Sequence, residues 1–222
     1  MPCITSEALL VLDAFALAEP EITETALSFR VDMLPCALED FLGYAAILGK
    51  MTQPIQPEMA FFKDDGSIPN NMLPLLLYRL VFSQETRDLA SVIEERFTGN
   101  CWTASWRTSV FPFHHYHSTT HEALAVYRGS ATLKLGGESG KKFNVNAGDV
   151  IVIPAGVGHK RLESTEDFGV VGAYPGSRRW DLLRGLPGER PRADRNIAGV
   201  PLPATDPVYG TDGPLVKIWE PA

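Results

Sequence analysis

The chain is poor in the features that mark several protein classes. No uninterrupted apolar run in its 222 residues is long enough to span a bilayer, so a membrane protein of the helical kind is excluded. The extreme N-terminus has an apolar middle but no basic stretch before it, and it carries Glu7 and Asp13, which argues against a secretory signal. Lys and Arg number 20 against 27 Asp and Glu and gather in no patch, so nucleic acid is not an expected partner. Only three cysteines occur, Cys3, Cys36 and Cys101. They form no metal or redox motif and cannot all pair, which fits a reducing compartment and a cytoplasmic protein. Histidine is scarce as well, with five in all, yet four of them fall within "HHYHSTTHE", His114 to Glu122.

What is present divides unevenly. Residues 1–50 hold eight acids against Arg30 and Lys50, and "SEALLVLDAFALA" and "LEDFLGYAAILGK" each have the spacing of an amphipathic helix. Prolines in "KMTQPIQPEMAFF" mark residues 51–60 as a linker, leaving 61–222 as the main domain. There "KDDGSIPNNMLP" is expected as a loop and "LLLYRLVF" as a strand. "SQETRDLASVIEERFTGN" predicts one helix, with Ser83 as cap and Leu89, Val92, Ile93 and Phe97 on one face. After it the period switches to two in "ATLKLGG", "KFNVNAGD", "VIVIPAG" and "DFGVVGAYP", with tight turns between. The tail from Pro187 is expected to wrap the surface without regular structure. Short antiparallel strands at this spacing predict a mostly β sandwich or barrel.

The histidines follow the same alternation. On a strand, His115 and His117 share one face while His114 and Tyr116 share the other. In the next segment Glu122 shares a face with Leu124 and Val126, which are core-type residues. Glu122 is therefore expected inward beside His115 and His117, with His121 pointing away. His114 and His121 are expected at surface or interface positions, as neighbours or alternative ligands, and Tyr116 at a subunit contact. The fifth histidine, His159, follows Pro154, Gly156 and Gly158, whose turn returns it to the same interior. Three neutral imidazoles and a carboxylate suit one divalent transition metal ion (Fe, Mn, Ni, Cu or Zn) and suit Ca or Mg poorly. Four protein ligands leave two positions on a six-coordinate ion for water, dioxygen or a bidentate small molecule. Trp102, Trp106 and Arg107 either cover one mouth of a barrel or, by default, pack in the core, and Lys160 and Arg161 either attract an acidic substrate or, as expected, form a solvated strand end. "GGESGKK" and "HEALA" fail as a phosphate loop and a zinc motif.

The spacing His115-x-His117-x4-Glu122-x6-Gly129 resembles the first motif of the cupin superfamily, and Gly148-x5-Pro154-x-Gly156-x2-His159 resembles the second. One departure is Glu163, where the second motif often ends in Asn. "DDGSIPNN", "SWR", "HHYHSTTHE", "PAGVGHK", "VVGAYPG" and "PLPATDPVYG" further resemble the YjlB-like cupins, over about Phe61 to Trp219. The resemblance implies a single double-stranded β-helix (jelly-roll barrel) with one short helix and extended termini. It also implies a metal site at His115, His117, Glu122 and His159, and a homodimer. It implies no particular substrate. Residues 1–50 are then either an extension peculiar to this chain or the result of a start placed too early, with Met51 or Met59 as the true beginning. Two functions are open at this stage. One is a metal-dependent oxygenase or isomerase acting on a small organic molecule inside the barrel; the other is a non-catalytic small-ligand-binding or sensing cupin.

Overall fold

The computed structural model describes residues 53–220, so the two helices expected in residues 1–50 lie outside the described residues. Among the described residues nine strands form two antiparallel sheets. The strands are β1 Glu58–Phe62, β2 Asn71–Tyr78, β3 Trp102–Thr108, β4 Glu122–Arg128, β5 Ser130–Leu135, β6 Lys141–Asn146, β7 Val150–Ile153, β8 His159–Ser164 and β9 Gly169–Pro175. The larger sheet runs β1-β2-β7-β4-β9-β3 and the smaller β6-β5-β8. This is the jelly-roll architecture expected from the sequence. Strand β1 begins inside the stretch assigned to the linker, and β2 begins at Asn71, inside the expected loop. The β1–β2 register breaks between Ala60 and Phe62, opposite the segment that holds Pro74, which has no N–H to give a ladder.

Both faces of the larger sheet are covered, and this explains its nearly continuous apolar runs. Leu75, Leu77, Leu124, Val126, Ile151, Ile153 and Val170 pack against Leu133, Leu135 and Val145 of the smaller sheet. Their neighbours on the opposite face, Leu76, Tyr78, Ala123, Ala125, Val152, Val171 and Ala173, form a second core. That core is closed by Ile93 and Phe97 of α1 (Leu89–Gly99) and by Leu215 and Trp219. Each core residue removed from water contributes on the order of 1.5–3 kcal/mol.

Several expectations need correction. Helix α1 is capped by Asp88, which accepts from Ser91 N–H and hydroxyl at 3.3 and 2.8 Å; Ser83 instead accepts from Glu85 N–H in the preceding turn. Its buried face is Leu89, Ala90, Ile93 and Phe97, while Val92 is exposed. The tail is not irregular, since it forms α2 (Arg192–Ala198) and α3 (Pro214–Ile218). Asp206, fully buried, ties this tail down: it accepts from Tyr78 hydroxyl at 2.5 Å and from the N–H groups of Val208, Tyr209 and Leu215. Tyr116 is buried, not at a surface contact; its backbone pairs with Leu183 and its hydroxyl donates to Glu189 at 3.1 Å.

Candidate metal centre

His115 and His117 do not lie on a continuous strand. Their segment makes single bridges instead, His115 to His159 through a reciprocal pair of backbone hydrogen bonds of 3.2 and 2.9 Å, and Tyr116 to Leu183. Alternation survives in this short extended piece, so His115 and His117 point the same way. His159 opens β8 after the turn at Pro154–Gly158. Gly156 there has φ +88, and a Cβ on it would sit 2.6 Å from the Asn70 carbonyl oxygen. Only glycine fits, because its N–H must also reach the His117 carbonyl at 2.8 Å. The turn is thereby stitched to the segment that carries the other two imidazoles.

One ring nitrogen from each of His115, His117 and His159 lies within 4.8 Å of the other two, and all three residues are buried. Glu122 enters from the start of β4 on the face of Leu124 and Val126, as alternation requires. Its Oε2 stands 3.2 Å from His159 Nε2 and 3.5 Å from His117 Nε2. The outward nitrogens are all spoken for. His115 Nδ1 faces the Phe113 carbonyl at 3.3 Å, His159 Nδ1 the Val157 carbonyl at 3.2 Å, and His117 Nδ1 the Asp181 carbonyl. A carbonyl can only accept, so each Nδ1 carries a proton and each Nε2 is the nitrogen left for a metal or, in its absence, for a proton shared with Glu122.

Tyr174 of β9 donates to Glu122 Oε1 at 3.1 Å and accepts from Trp106 Nε1–H at 3.0 Å. With Oε1 held in this way, Oε2 faces only the His117 and His159 ring nitrogens, and no other donor among the described residues reaches it. Three ring nitrogens thus converge, with a carboxylate oxygen beside two of them. That donor set fits a divalent transition metal ion.

Charges within the site respond to the same crowding. Burial, then the neighbouring His159 and His117 rings, push His115 down to about 2. Burial also opposes a charge on His117, but the Glu122 carboxylate outweighs it and raises His117 above its ordinary value. Burial would raise Glu122, and His117 and His159 more than offset that, holding it well below the usual carboxylate range. Without a metal the carboxylate therefore recruits a proton onto a neighbouring imidazole.

His114 and His121 stand outside the cluster. His121 points to the opposite face, as expected, but it is 1% exposed and lies at no surface. Its Nδ1 accepts from Ala155 N–H at 3.0 Å, and its ring packs on Trp219. His114 Nε2 lies 3.2 Å from Glu138, which also pairs with Lys134 and Lys160. Lys160 is thus paired across the small sheet and is not a free strand-end charge. Trp102 is core, while Trp106 and Arg107 line the cavity.

Two supporting residues are not evident from the motifs. Tyr174 is within reach of alternation once Val170 is known to face inward. Asp181 gave no signal: its carboxylate accepts from Ser118 N–H and hydroxyl and from Thr119, which fixes the turn after His117. The four candidate ligands open onto a cavity of about 390 Å³. Its wall is largely apolar, with Trp106, Val110, Phe111, Leu124, Trp180 and Leu182 beside the ligands and Tyr174.

A family model described as "Cupin domain" matches residues 107–168, which contain both histidine motifs. The chain belongs to the cupins. Within them its curated relative is the uncharacterized protein YjlB of Bacillus subtilis (strain 168), 46% identical over 160 residues that span 72% of this chain and 94% of that one. Among solved structures, an acireductone dioxygenase from Bacillus anthracis with a cadmium ion in its active center is 17% identical, with TM-score 0.34, over 48% of this chain and 80% of that one. A DUF861 family protein from Thermotoga maritima is 23% identical, with TM-score 0.26, over 40% and 89% of the two chains. Likenesses of this size carry no argument about the reaction.

Proposed function

We propose that His115, His117, Glu122 and His159 hold one divalent transition metal ion, and that the protein is a metal-dependent enzyme acting on a small organic molecule in the barrel. The observation that carries this reading is the inward convergence of three buried imidazoles, with a buried carboxylate oxygen beside two of them that no donor other than those rings reaches. A bound ion would supply Lewis acidity or, if iron, dioxygen chemistry of the oxygenase kind. The chain's own residues have separate tasks. The three backbone carbonyls fix the imidazole tautomers, Tyr174 and Trp106 orient Glu122, and the apolar wall excludes water from the ligand side of the cavity.

The apolar wall also supports a second reading, a non-catalytic cupin that binds or senses a small ligand through the metal. Among the described residues no unpaired acid or base other than the metal-ligand set lines the cavity; Arg107 is paired with Glu94, and Tyr174 is committed to Glu122. Incubating metal-loaded protein with a small-molecule extract separates the two readings by mass spectrometry. An enzyme depletes a compound and generates a product, and the His159→Ala variant does neither. A compound that is retained and recovered unchanged supports the binder.

A further inference from the structure

Resting on the metal-centre reading above, the mouth of the cavity narrows the class of molecule that site takes. Two aromatic side chains stand there half in water, Trp180 at 48% and Phe111 at 44% exposure. Each packs on a different candidate ligand. Trp180 meets the His117 ring at 5.5 Å and stacks on Tyr174 at 6.1 Å and 24°. Phe111 meets the His115 ring edge-on at 5.1 Å. Large apolar rings left exposed at the rim of a cavity are surface for a ligand to cover. The space behind them lies toward the small end of the range for ligand pockets, about 300–1,000 Å³.

Charge narrows the class further. Among the described residues that line the cavity, Arg107 is the one cationic side chain of fixed charge, and it is neutralised by Glu94, with Nε and Nη2 each 2.7 Å from a carboxylate oxygen. A divalent ion held by three neutral imidazoles and one carboxylate has one positive charge left. A monoanion balances it. A dianion would leave a surplus negative charge against Leu124, Val110 and Leu182, where desolvation is costly. An ion held by these four side chains would face the cavity, which suits a two-oxygen chelating head.

We infer that the site takes small monoanionic oxygen chelators with a ring or other flat apolar body, and discriminates against compact dicarboxylates. The full chain loaded with Zn²⁺ is titrated calorimetrically with tropolone and with oxalate, each affinity being divided by that chelator's affinity for free Zn²⁺ in the same buffer. Tropolone is expected to be favoured at least tenfold on this scale. Trp180→Ala should reduce tropolone binding about tenfold and leave oxalate and zinc content unchanged. Leu182→Asn should do the same from another part of the wall, and it replaces Trp180→Ala if that variant is insoluble. Equal or better binding of oxalate, binding of neither chelator, or indifference of tropolone to both wall variants overturns the inference. Failure of the metal-centre reading is seen separately, as wild-type protein that does not retain zinc before any chelator is added.

Discussion

Tyr174 holds Glu122 through one hydrogen bond and is itself oriented by the Trp106 indole, so its hydroxyl is the point at which the carboxylate can be loosened without touching a ligand. Burial, reinforced by the Glu122 charge, pushes that phenol far above its ordinary value, so it remains a donor at every accessible pH. Tyr174→Phe is expected to weaken metal affinity about 10- to 100-fold, as loss of an outer-shell partner does. Thermal stability should change by only about 1 kcal/mol. Competition with a calibrated metal chelator checks the first, and thermal unfolding the second.

Metal uptake should also be proton-coupled. In metal-free protein His117 is raised by Glu122, an interaction that stabilises the fold below the unfolded imidazole value of about 6.5 and is lost as pH rises through the raised value. Glu122 is depressed, and its contribution is present above about 4.3 and lost as pH falls through its folded value. A metal needs the His117 lone pair and displaces that proton. Affinity is therefore expected to fall at least tenfold from pH 8 to pH 6. Calorimetry in two buffers of different ionisation heat should show a proton released; a pH-independent affinity would contradict the assignment.

Among the elements, β9 is placed by one missing side chain. A Cβ on Gly172 would lie 2.2 Å from Trp106 Cζ2, so glycine is what admits the indole that reaches Tyr174. Gly172→Ala is expected to destabilise the fold by about 1–3 kcal/mol in denaturant titration and to weaken metal binding along with Tyr174→Phe. The β4 face opposite the site carries a different sensitivity. Burial pushes His121 down to about 4, with the Pro201 carbonyl opposing, so the unfolded chain takes up a proton first as pH falls from about 6.5. His121→Gln, which can still accept from Ala155 N–H, should lose about 2 kcal/mol less stability than wild type between pH 7 and pH 5.

Legibility followed the range of the interaction. The inward set of β4, from Glu122 through Leu124 to Val126, was readable because strand parity is local. The turn to His159 was readable because its glycines are. Burial of His121 was not readable, since the Trp219 that covers it comes from the far end of the chain. Helices α2 and α3 are too short to show a period, and α3 is anchored by Leu215 and Asp206 contacts that no window of sequence contains.

The described residues from Ile55 onward form one compact unit, with Ile55 N–H donating to the Tyr209 hydroxyl at 3.1 Å. A chain beginning at Met51 is expected to unfold cooperatively and to bind metal like the full chain; insolubility would show that residues 1–50 are needed. Among the described residues no helix is long and apolar enough to cross a membrane. The homodimer implied by the family resemblance predicts twice the chain mass in light scattering, and a sharp monomer peak would contradict it. Metal held by the three histidines and Glu122 is measured by plasma mass spectrometry of untagged protein beside a His115→Ala/His159→Ala double variant. The prediction is close to one equivalent of iron, manganese, nickel, copper or zinc in the wild type and none in the variant. Equal metal-free results for both, even after anaerobic reconstitution, would contradict it and leave a jelly roll that acts without a metal.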